Sequence, residues 1–464
     1  MRSLNKLPAD FLAKAAEIVG SPFVRHDPAS LEAYGVDALK RGHPADLVVL
    51  PGSTSEIAAL VALCQSGQVP LVVRGGGTGY TGGAVPILGG VVLSLERLNR
   101  ILEIDQVNLL ARVQPNVITG DLQDAVERIG LFYPPDPASL GQSALGGNVA
   151  ENAGGPRAFK YGTTRRYVLG LEAVLPTGEV IRTGSKAVKN VVGYDLTQLL
   201  VGSEGTLAII TEITLRLIAK PPARIALRAM FTDIRGASAG VTGLIRASVV
   251  PAALELIDAE SLAAVATYLG KPLAPPGTGA VLIIEVDGSP ESVASESLLV
   301  EDSCRRAGAL EIQRARDEAE RSDLWEMRRE LSASLKVISP IKLNNDVVVP
   351  RGRVPELFDL VDRLRASDGF RIACFGHAGD GNIHVNIMVD PTDPNGVERA
   401  QKTVRQLFEG VVALEGSISG EHGIGISKAP YLSIELSAEE IALMKRIKTA
   451  FDPHGILNPG KIFP

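Results

Sequence analysis

The sequence is poor in cysteine and has no excess of basic charge and no long uncharged apolar run. Its three cysteines, Cys64, Cys304 and Cys374, lie far apart and match no C-x-x-C spacing. That excludes an iron–sulfur cluster or zinc knuckle carried by this chain, and it suits a reducing cytosol. The net charge is −6, with both signs scattered, which argues against a nucleic-acid partner held through phosphates. No apolar stretch reaches the length of a membrane span. The opening residues MRSLNKLPADFLAKAAEIVG alternate charge and apolar residues at helical spacing and show no secretory h-region. The expected setting is cytoplasmic, with attachment at the inner membrane through a partner left open. Neither an internal repeat nor a low-complexity tail is found.

What is present fits a soluble globular protein of two or three domains: 464 residues, 45% apolar and 22% charged. ADLVVLP (45–51) and PLVVR (70–74) read as strands, with a helix over 55–68 opened by a serine cap at Ser55. This β-α-β unit delivers a glycine run, RGGGTGYTGG (74–83), at the carboxyl end of its second strand, where α/β ligand sites sit. GTGYTG (77–82) matches the dinucleotide fingerprint G-x-G-x-x-G. That fingerprint requires a helix to start there, and a proline and three more glycines before VVLSL (91–95) forbid one. The run is instead expected to wrap an anion with bare backbone N–H groups.

Further along, LGLEAVLPTGEVIRTG (169–184) reads as a hairpin turning at PTGE, and TLAIITEITLRLI (206–218) as a strand. After KPP (220–222) strands and helices alternate, suggesting one sheet with helices on one face. Four segments are expected: an N-terminal helical segment (1–40), a cofactor domain (41–219), a substrate or cap domain (220–415) and a C-terminal segment (416–464).

Two more blocks of small residues follow the first. YPPDPASLGQSALGGNVAENAGG (133–155) is too poor in large side chains for a core strand or helix, and Asp136, Ser139, Asn148 and Asn152 supply its polar groups. In the third block, GSEG (202–205) interrupts apolar sequence. Three such loops in one domain favour a large ligand with a pyrophosphate and a ring system.

RGGGT, PPDPAS, GGNVAENAGG and GSEGT, in this order and spacing, resemble the flavin-binding segments of the FAD-linked oxidases of the vanillyl-alcohol oxidase and p-cresol methylhydroxylase type. The similarity is to the branch of D-lactate dehydrogenases, glycolate oxidase flavin subunits and D-2-hydroxyglutarate dehydrogenases, and it runs from about residue 40 to the end. It implies an α+β fold: a two-part FAD-binding domain of the p-cresol methylhydroxylase type, plus an α+β cap domain with one antiparallel sheet covered by helices. By this resemblance Arg74, Gly75, Gly76, Gly77, Thr78, Gly79 and Gly83 hold the pyrophosphate. Pro135, Asp136, Ser139, Gly146, Gly147, Asn148, Asn152 and Gly154 surround the ribityl chain and ring with Glu204, Gly205 and Ile210. Asn458, in ILNPGK, returns to the flavin from the C-terminus. Relatives with covalent flavin carry a histidine in the first loop; this chain has none there, so dissociable FAD is expected.

GHAGDGNIHVN (376–386) sets His377 and His384 on either side of a turn, GDGN (379–382). If 378 pairs with 383, His377 lies opposite His384 on one face, about 5 Å apart at Cβ, with Asn386 on the same side. Packing or hydrogen bonding is the ordinary use of such a pair. GEHGIG (420–425) adds Glu421 and His422, and a His, His, Glu set with an open position suits Zn²⁺ first and Mn²⁺ second. The resemblance implies that His377, His384 and Glu421 are metal ligands and that His422 is the general base. His26, His43 and His454 lie outside these motifs and read as ordinary loop residues.

In WEMRRE (325–330), Arg328 is either a solvated helix charge or, as the family's W-x-x-R implies, a fork for the substrate carboxylate. Ser332, one turn on, stands where the hydroxyglutarate enzymes carry threonine. Those enzymes also have a lysine where this chain has Asn344, with Lys342 the nearest replacement. The implied reaction is therefore oxidation of D-lactate or glycolate, ahead of D-2-hydroxyglutarate, with a metal-independent alcohol oxidase of the same fold as the alternative. Electrons must then leave to a quinone, an electron-transfer protein or a partner redox subunit, and the chain is expected as a homodimer or in a glycolate-oxidase-like complex.

Overall fold

The computed structural model describes residues 4–38 and 42–463. The segment boundary expected at 40/41 falls outside the described residues. The chain forms two compact units: residues 1–154, 163–220 and 421–464 make the first, and 155–162 with 221–420 the second.

In the first unit, a four-stranded sheet runs in the order Val24–Arg25, Leu47–Val49, Val91–Ser94, Leu71–Arg74. Val91–Ser94 pairs parallel with both of its neighbours, so it fills the place between the two strands of the β-α-β unit. The connecting helix is Thr54–Gly67, and its cap is Ser53, whose hydroxyl accepts from Glu56 N at 3.2 Å. The cap thus precedes the expected Ser55 by two residues. Ile57, Leu60, Val61 and Cys64 from this helix pack with Phe11 and Ala15 against Leu47, Val49, Leu71 and Leu93. Full burial of each large aliphatic side chain there stabilises the unit by about 1.5–3 kcal/mol. The N-terminal segment therefore adds both a helix, Phe11–Val19, and an edge strand to this unit.

A second, five-stranded antiparallel sheet has the order Ile101–Asp105, Leu110–Val113, Ile209–Arg216, Val168–Val174, Val180–Gly184. Its last two strands form the hairpin over PTGE, with Gly178 at φ 88°, a conformation that favours glycine. The C-terminal residues return to the first sheet: Leu71 N donates to Ile456 O at 2.8 Å, and Asn458 N to Leu71 O at 2.7 Å.

The second unit holds one antiparallel sheet of seven strands, ordered Glu311–Arg314, Ala223–Phe231, Ala280–Gly288, Ala253–Asp258, Arg371–His377, Asn382–Val389, Ile341–Val348. Helices cover both faces rather than the single face expected. Helices Ala259–Leu269 and Glu318–Ser334 send Leu262, Val265, Met327 and Leu331 onto Ile257, Val281, Ile283 and Phe375. On the other face helix Ile234–Arg246 approaches so closely that a Cβ at Gly240 would stand 3.3 Å from Phe231 Cζ and 3.6 Å from Leu282 Cδ1. The central strands are apolar at nearly every position, which is the pattern of a sheet buried on both sides.

Candidate active site

The first glycine run leaves its strand at Arg74 and reaches Val91 without a helix, as expected. Among the described residues no backbone N–H from Gly75 to Tyr80 donates to a protein acceptor. Unpaired backbone donors are costly away from water or an anion, so the loop has the chemistry of an anion cradle. A Cβ at Gly76 would lie 2.5 Å from Gln142 O, which requires glycine where this loop meets the second block. Arg74 turns back instead, donating to Val36 O at 2.5 Å.

The second block is not loop throughout: Leu145–Glu151 is a two-turn helix. A Cβ at Gly146 would lie 2.6 Å from Pro115 Cβ, and Asn148 Nδ2 donates to Thr119 Oγ1 at 2.7 Å. Small residues here let a helix sit against the chain, so Gly146 and the Asn148 side chain serve packing. A Cβ at Gly147, by contrast, would meet nothing within 4 Å. Pro135 O accepts from Gln123 Nε2 at 2.8 Å, and Ser139 O accepts from Ser143 N at 2.8 Å, which sets the turn after half-buried Asp136. Ile210 is buried in the strand Ile209–Arg216, opposite Ala173.

Three non-glycine residues of these segments hold left-handed backbone: Asn152 at φ 54°, Glu204 at 52° and Asn458 at 45°. Such conformations cost about 1–3 kcal/mol each and persist where surrounding bonds impose them. The bonds are present. Asn458 Nδ2 donates to Glu204 O at 2.7 Å and Gly83 O at 3.1 Å, while Glu204 accepts from Ile424 N at 2.7 Å and Gly425 N at 2.6 Å. Asn152 Oδ1 accepts from Thr163 Oγ1 and Arg165 N, both at 2.9 Å. Burial pushes the Glu204 carboxyl up, against those two N–H donors and Lys428 and Lys461. Burial and the neighbouring Glu204 push Glu151 well up too.

Residues 421–425 of GEHGIG lie in the same unit. Gly154 has no side chain where a Cβ would stand 2.6 Å from Glu421 Oε2. The His422 ring stacks on Tyr80 at 5.3 Å between centroids and 23° between planes, and Thr81 Oγ1 donates to His422 O at 3.3 Å. Tyr80, a large aromatic inside a run of glycines, is a position the motif reading passed over.

His377 and His384 stand in the second unit. Their hairpin turns one residue earlier than expected: His377 pairs with Asn382 and His384 with Phe375, so the turn is 378–381. The register differs by two residues, an even number, which keeps every side chain on its expected face. The histidines are therefore diagonal neighbours, with ring centroids 5.5 Å apart, and Asn386 shares their face. Asn386 is spoken for, however. Its Nδ2 donates to Ala373 O and His384 O, and its Oδ1 accepts from Asn344 Nδ2 at 2.8 Å, so it braces the sheet instead of presenting an amide to substrate.

The residue that organises this half is one that motif spacing did not single out, Glu255. It is fully buried in the strand Ala253–Asp258, opposite His377. His377 Nδ1 lies 2.5 Å from Glu255 Oε1, and Arg328 Nε donates to Glu255 Oε2. Burial pushes the Glu255 carboxyl up, but the Arg328 guanidinium and the His377 ring outweigh it and hold it at about 2. An ionised Glu255 fixes the proton of His377 on Nδ1 and leaves Nε2 as a lone-pair donor. Arg328 is thus no solvated charge: it is 8% exposed, pinned by Glu255, with its guanidinium 5.2 Å from the Phe375 ring centroid. One signal was available: a glutamate inside an apolar strand such as ALELID must find a partner when buried.

Asp346, cross-strand from His384, is also fully buried; its Oδ1 accepts from Asn382 Nδ2 at 2.6 Å and its Oδ2 from Gly420 N at 3.0 Å. Lys342 Nζ donates to Ser332 Oγ at 2.8 Å, and burial, aided by Lys336, brings its pKa down to about 8.

A glycine cradle with idle N–H donors, crossed by a returning C-terminal asparagine, is the apparatus of a flavin-dependent oxidoreductase. More narrowly, this chain belongs to the FAD-linked oxidases: residues 45–184 match the family described as FAD binding domain, and 220–462 the FAD linked oxidases, C-terminal domain. It is 44% identical over 418 residues to the glycolate oxidase subunit GlcD of Bacillus subtilis, covering 90% of this chain and 89% of that protein. It is 38% identical to a D-lactate dehydrogenase of Anaerostipes hadrus, covering 90% and 89%. Its fold matches that of p-cresol methylhydroxylase with substrate bound at a TM-score of 0.81 and 19% identity, over 98% of this chain and 96% of that one. No described helix is long and apolar enough to cross a membrane.

Proposed function

We propose that the protein oxidises a small D-2-hydroxy acid, D-lactate or glycolate, to the 2-oxo acid, using dissociable FAD and a divalent metal. The observation that carries this reading is the chain of buried contacts Arg328–Glu255–His377, with His384 on the same face. It is the arrangement in which a carboxylate orients a metal-ligating imidazole. The ligand set is His377, His384 and Glu421, with Zn²⁺ or Mn²⁺ as the ion. Gly420, the residue before Glu421, is held by Asp346, the cross-strand partner of His384.

When bound, FAD supplies the hydride acceptor and the ion supplies Lewis acidity toward the substrate hydroxyl. The chain's own residues supply the rest. His422 takes the hydroxyl proton as general base, its ring held flat on Tyr80. Arg328, anchored through Nε, presents its outer nitrogens to the substrate carboxylate. Asn344 stands where the hydroxyglutarate enzymes carry a lysine, and the loss of that cation favours the smaller acids; Lys342, the nearest replacement, is engaged with Ser332. The electrons leave to a quinone, an electron-transfer protein or a partner redox subunit, in a cytoplasmic or membrane-peripheral setting.

Anaerobic bleaching of the flavin against a panel of D- and L-2-hydroxy acids tests the reading. D-lactate or glycolate should bleach it fastest; bleaching by D-2-hydroxyglutarate alone, or by none of the panel, would overturn the assignment. Acid precipitation should leave the yellow colour in the supernatant, and colour retained in the pellet would mean a covalent flavin. Glu255→Gln should weaken metal retention by about 10–100-fold. It should also lower stability by about 3–5 kcal/mol, because Arg328 is left buried without its counter-charge. Metal content after dialysis and the urea midpoint check both.

A further inference from the structure

On the sheet face opposite the histidines, the second unit carries a basic hollow that the flavin reaction does not use. Neighbouring residues along a strand alternate faces, so Leu256 points away from the side that Glu255 shares with His377. Above Leu256 a cavity of about 400 Å³ opens, lined by Arg235, Ser238, Thr242, Arg246 and Arg351 among others. A narrow recess beneath it is walled by Ser238, Val241, Leu256, Arg351, Val354 and Ala378. Ser238 and Arg351 line both spaces.

The charges here are unbalanced. Arg235 is neutralised by Asp359, with Nη2 2.8 Å from both carboxylate oxygens. Nearby Arg353 has Glu356 at 3.3 Å and Glu415 at 4.0 Å. Among the described residues Arg246 and Arg351 pair with no carboxylate; the Arg351 guanidinium lies 5.1 Å from the Phe159 ring centroid. The Ser238 hydroxyl is buried and has no hydrogen-bond partner. Buried hydroxyls are ordinarily satisfied, so this one marks a place where an acceptor from outside belongs. Along helix Ile234–Arg246, residues 235, 238, 242 and 246 recur at three- and four-residue spacing, so they form one face of the wall.

We propose that this hollow binds a small doubly charged anion, a phosphomonoester or a dicarboxylate, seated between Ser238 Oγ and the guanidinium of Arg351, with Arg246 as the second cation. Two unpaired guanidinium groups match two negative charges, and guanidinium forks suit both phosphoryl and carboxylate oxygens. The hydroxyl donates to a third oxygen. The small residues Ala239 and Gly243 leave room along the helix for the body of the ligand.

Calorimetric titration of the full-length FAD-loaded protein tests this, with inorganic phosphate, AMP and malonate as separate probes. Chloride holds the ionic strength constant. Saturable binding of one anion per chain is expected, weakened at least tenfold in Arg351→Gln and measurably in Ser238→Ala. It should be unchanged in Arg371→Gln, an exposed arginine whose partner is Glu260. Binding of phosphate and AMP without malonate identifies a phosphoryl site, and the converse a dicarboxylate site. Absence of saturable binding by any probe overturns the proposal, as does binding of equal strength in Arg351→Gln. The thermal midpoint in chloride verifies that each variant is folded. Should Arg351→Gln not fold, Arg246→Gln, exposed at the end of its helix, takes its place with the same expected loss.

Discussion

His422→Ala is expected to stop reduction of the flavin by a D-2-hydroxy acid while leaving FAD bound. A positioned base contributes about 10²–10⁴-fold in rate, and the loss should fall in that range. The backbone at His422 is tied to the first glycine loop through Thr81, and the ring rests on Tyr80. Removing the ring therefore deletes the proposed proton acceptor without touching Glu204, Asn458 or the idle N–H groups of the cradle. Two readouts separate the roles: anaerobic stopped-flow bleaching reports the chemistry, and the flavin-to-protein absorbance ratio reports binding. Bleaching at the wild-type rate would sink the assignment of His422. Loss of the flavin itself would show that the residue holds the cofactor.

Chelation should have an equally large effect. After treatment with EDTA and removal of the chelator, turnover is expected to vanish, and added Zn²⁺ or Mn²⁺ should restore it. Without an ion, nothing on the sheet lowers the pKa of the substrate hydroxyl, and a neutral imidazole is too weak a base for an ordinary alcohol. The second unit has the parts for an ion: Glu255 holds the His377 proton on Nδ1, and the two imidazoles stand 5.5 Å apart between centroids. Full activity in protein shown by elemental analysis to be metal-free would favour the alternative, a metal-independent alcohol oxidase of the same fold.

Much of the fold was legible because the signals were local. The PTGE hairpin, the β-α-β unit and the helix-free glycine run each follow from turn chemistry, periodicity or the poor helix propensity of glycine and proline. Where expectation and structure part, a neighbour decided. Leu145–Glu151 forms a helix, and its small Gly146 is required by Pro115, which lies where a Cβ would collide. Helices cover both faces of the seven-stranded sheet, and alternating helix and strand signals carry no information about which face each helix takes. The two-residue shift in the hairpin register went unseen because an even shift leaves the pattern of inward and outward residues unchanged.

The chain by itself determined the candidates for chemistry-bearing residues: the glycine loops, the histidines at 377, 384 and 422, and Glu421 with Arg328. These are specified by residue type and spacing along the sequence, which survive in one dimension. Only the tertiary structure decided what each works against. Glu255 is 122 residues from His377, Thr81 meets the His422 carbonyl from 341 residues away, and Asn458 meets Gly83 from 375 residues away. Pairings of that range depend on which strands lie side by side and on which charges burial compels to find a counter-charge, and neither condition is written in local spacing.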